Sequence, residues 1–325
     1  MKSIDYRIAQ SEVEWRRTRY ERMGVRECTG QLCKAVARSA AKWLNVAHRT
    51  INPGMQCAAF EPSYDANREN IVVSLTSTSG RIRHIFPTLH SLAVQTRSPD
   101  LIVLWLGNRA DYPRRTMARI EKMGVAVKYR EDLGPNTKYH YAFGEYKRDL
   151  VITVDDDIIY HEAMVEELYQ THAKHPDLVI ARRVHRMRFN ADHSPARYVD
   201  WIWEYRDADG PAHDLLATGV GGVLYPPVVM ALACWDNTDF LRVSPACDDI
   251  WLKFCELAHG IRVCAVDNSR YDRDVVYYRG QKTSLSAENV DRGKNDERMA
   301  SCAEYFGMRD DLCERVLAEG QGERI

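Results

Sequence analysis

Three consecutive carboxylates, Asp155, Asp156 and Asp157, follow directly on an apolar run that ends at Val154. Like charges at the mouth of a buried segment repel one another unless a cation or charged ligand lies among them. If the strand continues through them, Asp155 and Asp157 share one face and Asp156 takes the other. Two hard oxygen donors on one side suit Mn2+ or Mg2+, which keeps waters and takes further ligands from substrate phosphates. The competing reading is a solvated acidic turn, and direct continuity with a buried strand favours the ligand site. A second acidic pair, Asp248 and Asp249, opens the run DDIWLKFCELA, whose Ile250, Trp251, Phe254 and Leu257 recur at helical spacing. An aspartate in that position is a common helix cap.

An alternation of strand-like and helix-like segments must position these groups. Apolar strands are predicted over 71–76 (IVVSLT), 101–106 (LIVLWL), 125–129 (VAVKY), 150–154 (LVITV), 178–184 (LVIARRV) and 262–266 (RVCAV). Helices between them carry first Ile82, Ile85, Phe86, Leu89, Leu92 and Ala93, then residues 114–123, then Met164, Val165, Leu168 and Tyr169. Repeated βα units with continuous apolar strands give an α/β fold, a mainly parallel sheet with helices on both faces. Ligands of such sheets bind at the carboxyl ends of the strands, where the aspartate run falls.

The chain of 325 residues is long enough for one large domain with an accessory segment. A net charge of −1 gives no global electrostatic case for nucleic acid. Nine cysteines without C-x-x-C pairs read as thiols of a reducing compartment. The N-terminal stretch lacks the apolar core of a signal peptide, and no stretch is apolar enough to span a bilayer, so a cytoplasmic location is expected. Between Cys28 and Phe60 there is no acidic residue, and Leu32, Ala35, Val36, Ala40, Trp43, Leu44 and Ala47 recur at helical spacing, with Lys34, Arg38 and Lys42 on another face. Such a helix either docks on the main domain or lies at a membrane surface, here through residues 32–47 at the inner face of the cell membrane. The expected division is an N-terminal helical extension and linker over 1–69, the main domain over 70–280, and a polar tail over 281–325, partly mobile.

The segments SLTSTSGRIRHIFPTLHSLAVQTRSPDLIVLWL, DLGPNTK, VITVDDDIIY, GVGGVLYPP and DDIW, in that order, resemble the glycosyltransferases of the GT-A fold, in particular bacterial family 2-like enzymes of surface polysaccharide synthesis. The resemblance runs over about residues 71–267. It implies a GT-A, Rossmann-like mixed sheet and a metal-dependent enzyme that moves a sugar from a nucleotide-sugar donor to a cell-surface polysaccharide or glycolipid acceptor. It implies that Asp155 lies towards the ribose or sugar and that Asp157, with Asp155, holds Mn2+ or Mg2+ on the diphosphate, Asp156 being an alternative or additional contact. A divalent ion there would neutralise the leaving nucleoside diphosphate. Of the pair Asp248 and Asp249, the second would be the general base of inverting transfer, and Asp248 could cap while Asp249 catalyses.

The turn after the first strand, from Thr76 to Arg81, and Asp132 with Lys138 in the loop after the third strand fall where such relatives hold the nucleotide. Lys138 reads as an exposed loop lysine that meets a phosphate or nothing specific. Gly221 and Gly222 would border donor sugar and acceptor, a tight turn being the other account. His185 and Arg186 could face the acceptor, Trp201, Trp203 and Trp251 stack on sugars or pack the core, and Arg279 and Lys282 close as a lid. Leu106-Gly107-Asn108 stands where relatives often have an acidic pair, which leaves the base open. Two further classes share parts of this pattern. A sugar nucleotidyltransferase wants a glycine-rich basic loop after the first strand, of which STSGR is a thin version. A non-catalytic glycan-binding pseudo-transferase is opposed by the presence of both acidic sites.

Overall fold

The structure, a computed structural model, describes residues 60–206, 210–232, 237–267, 269–276 and 293–317. The basic segment 32–47, Arg279 and Lys282 lie outside the described residues. In chain order the first strands are β1 (Ile71–Thr76), β2 (Leu101–Leu106), β3 (Ala126–Tyr129), β4 (Leu150–Thr153), β5 (Ile158–Ile159) and β6 (Val179–Ala181). They are followed by β7 (Val184–Arg186), β8 (Ile202–Tyr205), β9 (Leu215–Ala217), β10 (Val223–Tyr225), β11 (Val263–Ala265) and β12 (Val275–Val276). The helices are α1 (Phe86–Ala93), α2 (Arg114–Lys122), α3 (Thr137–Glu145), α4 (Met164–His172), α5 (Pro227–Met230), α6 (Phe240–Val243), α7 (Asp248–Ala258), α8 (Lys294–Tyr305) and α9 (Leu312–Leu317).

A seven-stranded sheet in the order β11-β6-β10-β4-β1-β2-β3 forms the centre. Its strands are apolar throughout because alternate residues enter two different cores. Val72, Val103, Trp105 and Val151 face α3 and α7, whereas Val73, Leu104 and Ile152 face α1, α2 and α4. Every pairing in this sheet is parallel except those of β10, which runs antiparallel to both β4 and β6. This mainly parallel sheet, flanked by helices, has the GT-A architecture.

Register decides which loops meet. Val223, the first residue of β10, pairs with Thr153 at the end of β4 and with Ala181 at the end of β6. The turn before β10 therefore shares one sheet edge with the loops after β1, β4 and β6. On the opposite side of the fold, beside Gly124, the Phe60 N–H donates to the Met123 carbonyl (3.0 Å). Gly124 combines φ +83° with a Phe60 carbonyl 1.9 Å from where a Cβ would lie, so only glycine fits there.

Two expectations need correction. LVIARRV is not one strand: β6 ends at Ala181, and β7 belongs to a separate three-stranded sheet, β8-β7-β9. The break falls at Arg182, which turns inward to ion pairs instead of continuing the ladder. The strand before the aspartates stops at Thr153, and Asp156 and Asp157 lie in a turn, so the period-2 alternation of faces does not apply to them. Within the expected tail, the described residues 293–317 form α8 and α9, and Met299, Cys302, Ala303, Leu312 and Val316 enter the same core as α7.

Candidate active site

The edge described above gathers five carboxylates and two cations. Asp155, just past β4, donates its backbone N–H to the hydroxyl of the buried Tyr160 (2.8 Å). Its carboxylate receives the Lys138 ammonium at 2.6 Å. Asp156 turns the other way: its carboxylate accepts from Ser77 Oγ and from Arg81, both at 2.5 Å, while its carbonyl accepts from Thr88 Oγ1 at 3.0 Å. Asp157 shares the same guanidinium, at 2.8 Å. The loop after β1 and the start of α1 thus hold the acidic turn from one side, and α3 holds it from the other.

Lys138 is not the exposed loop lysine that its polar neighbours in sequence imply. It lies in the first turn of α3, is 4% exposed and bridges Asp155 to Asp248 (3.0 Å). The helix is anchored by a polar residue within a buried strand: Ser74 Oγ donates to the Lys138 carbonyl and accepts from Trp105 Nε1 (2.9 Å). That contact explains a serine inside IVVSLT. Burial pulls the Lys138 proton affinity down, but Asp155, Asp248 and Asp249 outweigh it and hold the ammonium well above the ordinary lysine range.

Asp248 does not cap α7 as expected. It is the first helical residue, and Cys247, in the cap position, makes no side-chain cap bond. Ala246, at φ +55°, turns the chain into the helix. Asp249, partly buried, accepts the Gly219 N–H on Oδ1 at 3.1 Å. Burial, then the neighbouring Asp248 charge, raise its proton affinity above the ordinary carboxylate range, against the pull of Lys138. Burial and then Asp155 push Asp157 up to about 6, against Arg81.

Gly219 measures how near the two acidic groups are. A Cβ there would lie 3.0 Å from Lys138 Nζ and 3.5 Å from both Asp155 Oδ1 and Asp249 Oδ1. Residues 83–215 match the family model described as glycosyl transferase family 2. The chain carries a glycosyltransferase domain. No curated protein matches the chain. The matched span of this glycosyltransferase domain includes Asp132, Lys138 and Asp155 to Asp157, whereas Arg81, Gly219, Asp248 and Asp249 come from outside it.

The other named positions distribute as follows. Thr76 turns its hydroxyl back to the Trp105 carbonyl (3.0 Å). Asp132 is exposed at the same edge and accepts the Gly134 N–H (2.9 Å), closing its own turn. Gly221 packs on the Arg183 backbone, and Gly222, at φ +84°, packs on Met164, so both shape the turn while Gly219 faces the charges. His185 is buried beneath Trp203 and accepts the Glu204 N–H on Nδ1. Arg186 pairs with Asp214 (2.5 Å). Trp201 and Trp251 are buried core residues. Tyr160 and Gly219 carry no signal in the sequence that singles them out, whereas Ser77 lies within the turn from Thr76 to Arg81 expected to hold the nucleotide.

The chemistry of the donor set fits a divalent cation in one way only. Among the described residues no group of three His, Cys, Asp or Glu side chains surrounds a single point as a metal cage. Asp155 is close enough to raise the cost of ionising Asp157, and both offer oxygen alone. That suits Mn2+ or Mg2+ sharing its shell with water and ligand phosphates.

Proposed function

We propose that this glycosyltransferase moves a sugar from a nucleotide-sugar donor to a hydroxyl of a cell-surface polysaccharide or glycolipid, by inversion, with Mn2+ or Mg2+ as cofactor. The observation that carries the reading is the convergence on Gly219 of Asp155 from the acidic turn and Asp249 from α7. Asp157 and Asp155 would hold the ion, which when bound supplies positive charge against the leaving diphosphate. Arg81 and Lys138 add positive charge on either side of that position, and Asp132 stands at the neighbouring strand ends, towards the nucleotide.

Asp249 serves as general base. The Gly219 N–H on its Oδ1 orients the carboxylate, which would take the acceptor proton. A carboxylate whose proton affinity is raised makes a stronger base than an ordinary one. Asp248 keeps Lys138 between the two acidic groups.

For location, no helix among the described residues is long and apolar enough to cross a membrane. A lipid-linked acceptor would be met at the inner face of the cell membrane, with residues 32–47 as the peripheral contact.

The test is a screen of nucleotide sugars by thermal shift with Mn2+, followed by product analysis with the donor that binds. Asp249→Asn should keep donor binding and lose transfer by about 10²-fold or more. Asp157→Ala should lose the Mn2+-dependent part of donor binding. In the native enzyme, transfer should rise with pH through an ionisation above the ordinary carboxylate range, since the base acts deprotonated. Full transfer by both variants would sink the proposal.

A further inference from the structure

The acidic edge already contains its own cations, and their arrangement bears on how a metal gets in. Arg81 spans Asp156 and Asp157 (2.5 and 2.8 Å), and Lys138 spans Asp155 and Asp248 (2.6 and 3.0 Å). Each carboxylate that the glycosyltransferase reading gives to the metal is thus in contact with a protein cation. The two contacts of Arg81 are not equivalent. Asp156 is also held by Ser77 Oγ and by Thr88 through its carbonyl, which makes it a fixed anchor. Asp157, with a more exposed side chain (21% against 10%), is the partner that can be exchanged.

We propose that Arg81 and Lys138 act as resident counter-cations that exclude a free divalent ion from Asp155 and Asp157, so that the metal enters only together with a diphosphate. A divalent ion arriving alone must displace an ammonium and a guanidinium and then sit beside both, with like charges in a partly desolvated place. A diphosphate removes that obstacle because its oxygens take over the two displaced cations. Lys138 keeps Asp248 as it moves, and Arg81 keeps Asp156. The coupling is reciprocal: whatever the diphosphate adds to metal affinity, the metal adds to diphosphate affinity. The positioning role of the two cations is therefore to make donor and metal a single binding event.

This inference rests on the glycosyltransferase reading of the carboxylates, yet its test needs no turnover. Mn2+ binding is followed by loss of the free-ion paramagnetic resonance signal, for the full chain alone and with UDP, GDP, ADP or CDP, each nucleotide series being corrected by the same titration without protein. The native chain should bind Mn2+ at least about tenfold more tightly with the diphosphate it recognises than without it. Arg81→Gln should bind Mn2+ alone at least about tenfold more tightly than the native chain, since one of the two repelling cations is gone. Adding Asp157→Asn to Arg81→Gln should abolish that gain, which locates it, and Arg83→Gln should leave the native behaviour unchanged.

Equal Mn2+ affinity of the native chain with and without the diphosphate would overturn the inference, whether or not any variant folds. So would an Arg81→Gln chain of native melting temperature that binds Mn2+ no better than the native chain. A native chain whose melting temperature responds to none of these nucleotides with Mn2+ would instead remove the donor reading. Tightening in Arg81→Gln would then still mark the two cations as guards of a metal site.

Discussion

At the scale of single residues, Gly219 is the position on which the two acidic groups depend together. Its backbone lies outside the left-handed region, so alanine is conformationally allowed, but a methyl would stand between Lys138 Nζ, Asp155 and Asp249. Gly219→Ala should therefore change stability by no more than about 1 kcal/mol in urea unfolding. Transfer should fall at least about tenfold, equivalent to roughly 1.4 kcal/mol of transition-state stabilisation. Undiminished transfer would mean that the acceptor does not pass through this gap. The sequence made the acidic runs legible, because carboxylates that end an apolar strand or open an apolar-periodic run have few bland explanations. It pointed to Gly221 and Gly222 instead of Gly219, since only the pairing of Val223 with Thr153 tells which glycine of the run reaches the charges. Lys138 looked exposed for a related reason: GPNTK is polar, and the carboxylates that bury the lysine come from β4 and α7.

Among elements, the inner strands were readable because burial on both faces leaves an uninterrupted apolar run. The end of β6 was not, since an arginine inside such a run gives no sign of where it points. Arg182 has a fully buried side chain, donates to Glu167 (2.8 Å), Asp274 (2.7 Å) and the Gly221 carbonyl (3.1 Å), and so ties β6 to α4, to the segment before β12 and to the turn that carries Gly219. Burial opposes its charge, but Asp274 and Glu167 more than compensate, and its proton affinity is raised. Arg182→Ala leaves two carboxylates and a carbonyl without that partner and should cost about 3–5 kcal/mol, read as a lowered urea midpoint. Arg182→Lys should recover only part of this, because one ammonium cannot reproduce the guanidinium fork. A loss below about 1 kcal/mol in Arg182→Ala would show that the network relaxes or hydrates on removal.

For the whole molecule, composition and periodicity pointed to an α/β domain and to the sheet edge where the carboxylates gather, but not to its limits. The expected tail is polar on average, and α8 still contributes Met299, Cys302 and Ala303 to the core against α7, a pattern too sparse to stand out beside its charges. The span matched by the family model, 83–215, is likewise not a folding unit. Both neighbours of β4 in the sheet, β1 and β10, lie outside it. A polypeptide of residues 83–215 should be insoluble or devoid of cooperative unfolding, whereas the full chain should melt in a cooperative transition; a soluble fragment with a sharp melt would contradict this. The antiparallel insertion of β10 also sets an order of events during synthesis. β1 to β4 can pair as they leave the ribosome, but the free edge of β4 waits through more than sixty further residues before β10 can cover it, and pairing over such separations is slow. Over that interval VITV presents unpaired backbone to other chains, and the charges of Asp155, Asp156 and Asp157 directly after it oppose the addition of another strand.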